Sequence, residues 1–302
     1  MKLFVRVATF LMLALACASP SYAQLLLISR QQLTEMTQAW KGDRFPDGRP
    51  KVSEQLLNRL KGVDAEEAFE VLVPAGYPNQ FEGGWKMINP SEQRMVGRVV
   101  TAEFMPVRPD LDSLIRANGQ KDQHLGVGEN SWVIDTLQPG DVLVVDLFGK
   151  IEDGTFIGDN LGTSIYTKSH NGLIVDGAVR DTTGIREIKG FQVFCRGTHP
   201  SALKNVMLVG INVPVRIGHA TVMPGDIAVS DAEGITFIPS QMVKKVADQA
   251  DVFHAQDAWG HLMLREQKYN PGQIDGYWTN PMIREFNRWA AEHGYKAHLK
   301  EK

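Results

Sequence analysis

Residues 158–181 read GDNLGTSIYTKSHNGLIVDGAVRD, and this stretch decides the fold. It begins with a glycine-containing loop that carries the carboxylate of Asp159 and continues through an amphipathic segment. A β-type apolar run, Leu173 to Val175, follows, and the sequence predicts that this strand ends in a turn that starts at Asp176. A loop, an amphipathic segment, a strand and a turn follow one another in this order, and strands with intervening helices continue through residues 95–239, which indicates an α/β fold.

The same stretch carries the groups of an anion site. Arg180 offers a planar fork of donors that can hold a carboxylate through two hydrogen bonds. Asp159 and Asp181 supply the hard oxygen ligands that suit Mg²⁺, which usually keeps several of its own waters. Carboxylates, an arginine and a bound metal ion in one short stretch together predict a site for a 2-oxo acid.

The first 23 residues have the pattern of a secretory signal peptide. A basic start is followed by the mostly apolar run Val7 to Ala16, which is too short to span a membrane. Ser21, Tyr22 and Ala23 give the small-x-small pattern that precedes cleavage, so we expect a mature chain that starts at Gln24 in the periplasm. A lipoprotein-type cleavage before Cys17 is a weaker alternative.

Composition limits the classes of partner. The 302 residues carry a formal net charge of −3, and no stretch concentrates lysine or arginine, which argues against nucleic acid as the main partner. If the signal is removed after Ala23, Cys195 is the single remaining cysteine. It lies in an apolar strand pattern, so a buried bystander is favoured over a nucleophile.

Beyond residue 23 the chain divides into three parts. Residues 24–94 are polar and rich in turns, although Ser53 can cap a short helix that runs to Lys61. Residues 95–239 are rich in strands, and residues 240–302 are predicted to be helical. The predicted strands include Leu173–Val175 and Val142–Val145, Val206–Val209, Val213–Ile217, Ile227–Val229 and Ile235–Ile238.

Four blocks in the middle part resemble the RraA-like family, which includes 4-hydroxy-4-methyl-2-oxoglutarate/4-carboxy-4-hydroxy-2-oxoadipate aldolases. They are the run Val96–Ala102, the loop Gly158–Leu161, the turn Asp176–Asp181, and Pro224–Asp226 continuing to Ile235. The resemblance covers about half of the chain. The segments before residue 95 and after residue 239 look like additions to this core.

The resemblance implies a swivelling α/β/β core domain with a helical C-terminal extension. It implies a homotrimer or hexamer with active sites between neighbouring subunits, and a metal-dependent reaction without a Schiff-base lysine. By analogy, Arg180 holds the pyruvate carboxylate and Asp181 is the direct metal ligand. Asp159 lies near the metal and its waters, and the loop Gly158–Leu161, through the backbone N–H groups of Asn160 and Leu161, faces the substrate. A glutamate that aldolase members take from a neighbouring subunit has no assignable counterpart here.

These residues predict a retro-aldol lyase that uses Mg²⁺ or Mn²⁺. Cleavage of a 4-hydroxy-2-oxo acid leaves a pyruvate enolate, whose charge a metal and Arg180 would stabilise. Oxaloacetate decarboxylation gives the same enolate and is the expected side activity. The alternative is a non-catalytic periplasmic binding or scaffold protein, whereas inhibition of an RNA-degrading complex conflicts with export.

Several neighbouring residues have structural interpretations. Asp176 is expected to support the turn through backbone hydrogen bonds. His170 and His199 lie near the motif blocks but are more often surface or packing residues, and Lys168 is a weak candidate for a Schiff base.

Overall fold

The chain contains ten α-helices in its described residues, and most of them lie between strands in the sequence or follow the last strand. The computed structural model describes residues 28–91, 93–121 and 128–302, and the predicted signal peptide lies outside these ranges. The described helices are α1 (Arg30–Met36), α2 (Glu54–Leu60), α3 (Ala65–Leu72), α4 (Pro109–Lys121), α5 (Glu129–Asp135), α6 (Asp159–Ser169), α7 (Thr182–Glu187), α8 (Val243–Arg265), α9 (Pro271–Ile274) and α10 (Asn280–Glu292).

One large mixed sheet organises the strands. The described strands are β1 (Phe81–Gly83), β2 (Lys86–Met87), β3 (Val96–Pro106), β4 (Asp141–Thr155), β5 (Leu173–Val179), β6 (Val193–Thr198), β7 (Val206–Ile211), β8 (Val215–Ile217), β9 (Ala220–Val222), β10 (Ile227–Ser230) and β11 (Gly234–Ile238). Nine of them form the sheet in the order β1-β11-β10-β3-β4-β5-β6-β2, with β7 also paired to β3, while β8 and β9 form a separate hairpin. Strands β3, β4, β5 and β6 are parallel neighbours.

The continuous apolar runs form strands because both faces of the sheet are covered. In β4, Leu143 and Val145 belong to a core with side chains of α5, α6 and α7. The alternate residues Val142 and Val144 belong to a second core with β8 and β9. Helices therefore cover one face and a small hairpin covers the other, which confirms the predicted α/β core.

Strand β5 is longer than its apolar run. It continues to Val179, because Gly177 and Ala178 pair with the second half of β4 and the amide of Phe156 donates to Ala178 O at 2.9 Å. The prediction that Asp176 supports a turn was therefore wrong. Asp176 lies inside the buried strand, and its Oδ1 accepts a hydrogen bond from Arg196 Nε at 2.6 Å.

The C-terminal part is helical, as predicted. Helix α8 packs with α2, α3 and one edge of the sheet in a core that includes Leu60, Leu72 and Val246. Helix α10 closes an aromatic cluster around the fully buried Trp259. In the described ranges, we find no helix with the length and hydrophobicity needed to cross a membrane.

The polar loop before α2 is tied to the core by a buried ion pair. Arg49 Nη1 lies 3.0 Å from Asp141 Oδ1, and Arg49 Nη2 lies 3.2 Å from Asp141 Oδ2. Asp47 accepts a third hydrogen bond from Arg49 Nε at 2.7 Å. This loop lacks regular structure, but its arginine anchors the N-terminal segment at the start of β4.

Candidate active site

Two connections at the same edge of the sheet form the site. Residues 156–158 lead from β4 into α6, and Arg180 and Asp181 join β5 to α7. Because β4 and β5 are parallel neighbours, their carboxyl ends open at one edge, where α/β folds usually bind ligands. The amide of Arg180 donates to Ile157 O at 3.0 Å and holds the two connections together.

A cavity of about 260 Å³ opens between these connections. All six residues that the sequence predicts for the site line it: Gly158, Asp159, Asn160, Leu161, Arg180 and Asp181. The structure thus brings together two loops whose charged groups lie about twenty positions apart in the chain.

Arg180 and Asp181 form an open and loose pair. Arg180 Nε lies 3.4 Å from Asp181 Oδ2, and the two side chains are 41% and 52% exposed. Asp181 directly precedes α7 and has a left-handed backbone conformation, with a φ of 51°. Among the described residues, its side chain makes no hydrogen bond that caps this helix. Both charged groups can therefore turn towards a ligand without breaking a helix cap.

Gly158 leaves the space in which this pair sits. A Cβ atom at Gly158 would overlap Asp181 Oδ2 and would lie 3.3 Å from Arg180 Nε. Because a φ of −112° is accessible to any residue, glycine matters here for the close approach of the Asp181 side chain and not for its backbone angle. A larger residue would force the Asp181 carboxylate to move away from residue 158.

Asp159 and Asn160 form the first turn of α6. Asp159 Oδ1 accepts a hydrogen bond from the amide of Asn160 at 2.8 Å, so this amide is already engaged. The amino end of α6 attracts negative charge, because its first amides have no partner within the helix. A bound carboxylate would add to this arrangement or take the place of Asp159 at the Asn160 amide.

The acidic residues permit one kind of metal site. Across the described ranges, no group of three or more His, Cys, Asp or Glu side chains could hold a metal ion. Asp159 and Asp181 nevertheless line one cavity as a two-carboxylate oxygen set. That set fits Mg²⁺, which is often bound through one or two carboxylates and retains several waters, better than it fits zinc.

The wall formed by α4 and α5 contains charged residues that the sequence analysis missed. Arg116 and Glu129 both line the cavity. Glu129 is only 4% exposed, its Oε2 accepts the amide of Leu208 at 2.6 Å, and its Oε1 lies 3.2 Å from Arg116 Nη2. Burial raises the pKa of the Glu129 carboxyl, and the nearby Asp112 raises this pKa further.

The rival functional residues lie elsewhere. His170 ends α6 and meets the ring of Tyr166 edge-on, while His199 Nδ1 contacts Ser201 Oγ at 2.9 Å. Lys168 pairs with Asp135 at 3.2 Å. Cys195 is fully buried, and burial raises the pKa of its thiol to about 11, which makes it a poor nucleophile. These four residues are absent from the described lining of the cavity.

Comparison with known proteins gives a family for this architecture. Residues 65–237 match the RraA-like family, described as Aldolase/RraA. A Halalkalibacterium halodurans protein named "Putative 4-hydroxy-4-methyl-2-oxoglutarate aldolase" is 33% identical over 159 residues, which cover 49% of this chain and 75% of that protein. Protein DlpA of Legionella pneumophila is 28% identical over 206 residues, which cover 67% of this chain and 30% of DlpA.

Solved structures share the fold. An uncharacterized protein from Pseudomonas syringae pv. tomato aligns with a TM-score of 0.61 and 22% identity, covering 78% of this chain and 99% of that one. Streptomyces coelicolor RraAS2, described as an unusual member of the RNase ES inhibitor RraA protein family, aligns with a TM-score of 0.59 and 26% identity. That alignment covers 70% of this chain and 99% of RraAS2.

Proposed function

The chain belongs to the RraA-like family, and we propose that it is a metal-dependent lyase that cleaves a 4-hydroxy-2-oxo acid to pyruvate and a second oxo acid. One observation carries the proposal. Arg180, Asp181 and Asp159 line a single small cavity at the amino ends of two helices, where an oxo acid could meet a cation, two carboxylates and a helix dipole.

Arg180 is the proposed carboxylate anchor. Its guanidinium is partly exposed and held only loosely by Asp181, so it can form two hydrogen bonds to the substrate carboxylate. Its backbone is fixed to Ile157, which limits how far the side chain can move relative to α6. A carboxylate held in this way sets the 2-oxo group in one orientation, so the C3–C4 bond can align with the carbonyl π-system.

Asp181 and Asp159 are the proposed holders of Mg²⁺ or Mn²⁺. When bound, the ion would act as a Lewis acid towards the 2-oxo oxygen and the carboxylate, an effect of several kcal/mol in such sites. Asp181 would be the direct ligand, because its carboxylate is half exposed and unused as a cap. Asp159 would orient a water that takes the proton from the C4 hydroxyl.

The charge balance of the site favours an enolate. As the C3–C4 bond breaks, its electron pair moves towards the 2-oxo oxygen, and negative charge develops beside Arg180 and the amino end of α6. Loss of CO₂ from oxaloacetate develops the same charge at the same place. We therefore expect oxaloacetate decarboxylation as a second activity of this site.

The setting of the reaction is part of the proposal. The signal-like sequence before residue 24 suggests an exported, periplasmic enzyme. Family resemblance suggests a trimer or hexamer, whose neighbouring subunit would complete the site. Glu266, which directly follows α8, lies in a region that differs from the family pattern, so we do not assign it the role of the neighbouring subunit's glutamate.

Pyruvate release tests the function. Purified mature protein would be assayed with 4-hydroxy-4-methyl-2-oxoglutarate and with oxaloacetate, using lactate dehydrogenase to detect pyruvate. We expect release with Mg²⁺ or Mn²⁺, loss with a chelator, and loss in Asp181→Ala even with metal present. A folded oligomer that releases no pyruvate from either acid would contradict the proposal and favour the binding or scaffold alternative.

A further inference from the structure

Within the described residues, helices α4 and α5 bring two carboxylates to one guanidinium, that of Arg116. Asp112 Oδ2 lies 2.9 Å from Arg116 Nε, and Glu129 Oε1 lies 3.2 Å from Arg116 Nη2. Two carboxylates thus share the guanidinium of Arg116. Their side chains are 17% and 3% exposed, so water does little to stabilise the extra negative charge. One proton on this cluster would balance the charges of these three described groups.

Glu129 is the member of the cluster that faces the cavity. It lines the cavity with Arg116, whereas Asp112 is absent from the described lining. Glu129 Oε2 accepts a short hydrogen bond from the amide of Leu208, which fixes the carboxyl group against β7. Glu129 Oε1 accepts no hydrogen bond from the described part of the chain, although it is buried. Asp112 Oδ1 is buried in the same way, so either of the two oxygens could carry the proton, and Glu129 is the one of the two residues that lines the cavity.

We propose that Glu129 is the residue that moves the C3 proton in this cavity, an inference that rests on the proposed function. In the cleavage direction, the C3–C4 electron pair becomes the pyruvate enolate. The Glu129 carboxyl then gives its proton to C3, which forms the methyl group and leaves a carboxylate. The proton lost from the C4 hydroxyl, as C4 becomes a carbonyl, balances the one that Glu129 donates.

The surroundings of Glu129 support this role. Arg116 and Asp112 face it from α4, the amide of Leu208 faces it from β7, and the cavity also contains Asp159, Arg180 and Asp181. Burial and Asp112 raise the pKa of Glu129, while Arg116 and the Leu208 amide lower it, with a net rise. A carboxyl group with a raised pKa suits a proton donor that works near neutral pH.

Exchange of the pyruvate methyl protons isolates this step. Pyruvate with Mg²⁺ in D₂O, followed by ¹H NMR, reports C3 deprotonation and reprotonation without any C–C cleavage. We expect Glu129→Gln to slow exchange by about 10²-fold or more, the lower range for general acid–base groups. Glu129→Asp, which keeps a carboxyl group, should retain measurable exchange.

Oxaloacetate decarboxylation by the same variant separates catalysis from structure. Loss of CO₂ forms the enolate without proton transfer from an enzyme group, and solvent can protonate the enolate after release. We therefore expect Glu129→Gln to reduce exchange by a much larger factor than it reduces decarboxylation. Asp112→Asn is the matched control: it removes the other carboxylate from Arg116 and should leave exchange within a few-fold of wild type.

The pH profile adds an independent readout. Exchange begins with removal of a C3 proton, so wild-type exchange should rise with pH through the raised pKa of Glu129. Asp112→Asn should move this rise to lower pH, because Asp112 raises that pKa. Glu129→Gln should lack the rise.

Three results would overturn the inference. Exchange in Glu129→Gln within about threefold of wild type would show that another group moves the proton, as 10²-fold is the smallest effect expected of this role. A parallel loss of decarboxylation and exchange would show that Glu129 supports the structure of the cavity. A wild-type protein that neither decarboxylates oxaloacetate nor releases pyruvate would overturn the proposed function and this inference together.

Discussion

Two arginine–aspartate pairs in this protein have the same chemistry and opposite surroundings. Arg49 and Asp141 are sealed, with side-chain exposures of 1% and 0% and two hydrogen bonds in a fork-to-fork geometry. Arg180 and Asp181 are 41% and 52% exposed, and a single contact of 3.4 Å joins them. The first pair connects segments 92 positions apart, while the second joins neighbours in the chain.

The difference shows how burial assigns a role to an ion pair. A sealed pair has no access to ligand, and loss of one partner leaves an uncompensated buried charge. An exposed pair contributes about 0–1 kcal/mol to stability, so its residues are free to act on a ligand. We therefore expect the Arg49 pair to determine stability and the Arg180 pair to determine activity.

Arg49→Met should have the largest effect on folding. The methionine would fill part of the space but leave Asp141 charged and buried, at a cost of about 3–5 kcal/mol. Urea unfolding monitored by tryptophan fluorescence would measure this loss. The double variant Arg49→Met/Asp141→Leu should recover part of it, because neither charge of this pair remains, while the Gln138 amide loses Asp141 Oδ2 as its acceptor. A loss below about 1 kcal/mol in the single variant would contradict the role of the sealed pair.

Arg180→Met, the matched change in the open pair, should act on catalysis. Removal of the carboxylate anchor should lower pyruvate release by about 10²–10³-fold, as for the loss of one key charge-stabilising donor. The free energy of unfolding should stay within about 0.5 kcal/mol of wild type, as for most exposed positions. Full activity in this variant would show that Arg180 does not anchor the substrate carboxylate.

Gly158→Ala should sharpen the geometric part of the comparison. The new Cβ would overlap Asp181 Oδ2, but the backbone angle of Gly158 suits alanine, so the carboxylate should move while the fold remains. A displacement near 1 Å can reduce catalysis about 10²-fold. Gly62→Ala is the control, because its Cβ would make only ordinary contacts of 3.5 and 3.7 Å. Equal pyruvate release in both variants would argue against the packing of Asp181 on Gly158.

Asp226→Asn should have the smallest effect of the four variants, and this effect is on stability. It extends the comparison to a buried carboxyl group that has no cationic partner among the described residues. Burial raises the pKa of Asp226 to about 7, while the amides of Met223 and Ser240 lower it. Because the folded pKa exceeds the unfolded value of about 3.9, its stabilising contribution is complete below about pH 4. That contribution declines as pH rises towards 7, by at most about 1.4 kcal/mol per unit.

Unfolding measurements from pH 4 to 8 would test this linkage. The asparagine variant keeps an oxygen acceptor for the Met223 amide but cannot titrate. Its stability should therefore fall less between pH 4 and 7 than that of wild type. Identical pH dependence in the two proteins would show that Asp226 does not contribute the expected titration.

Local signals predicted most of the core and the candidate cavity. Ser53 caps α2 by accepting the amide of Leu56, and the run Val142–Val145 is a strand covered on both faces. The loop at Gly158 and the turn at Arg180 follow neighbouring parallel strands, so a correct α/β assignment brings them together. These features depend on residues close together in the sequence and on the rule that neighbouring parallel strands have their carboxyl ends at the same edge of the sheet.

Interactions between distant segments were not predictable in the same way. Nothing near Arg49 in the sequence indicates that its partner is Asp141, and its surroundings resemble an ordinary polar loop. Glu129 likewise depends on the amide of Leu208, 79 positions later. The error at Asp176 has a related cause, because pairing with the second half of β4 extends β5 beyond its apolar run.

The most direct test of the central claim compares Arg49→Met with Arg180→Met in one experiment. Metal-dependent pyruvate release would be measured per folded molecule, and the free energy of unfolding would be measured on the same preparations. The account predicts that Arg49→Met loses stability but retains turnover, while Arg180→Met retains stability and loses turnover. Equal losses of turnover in both variants, or of stability in both, would contradict the separation of the sealed pair from the open one.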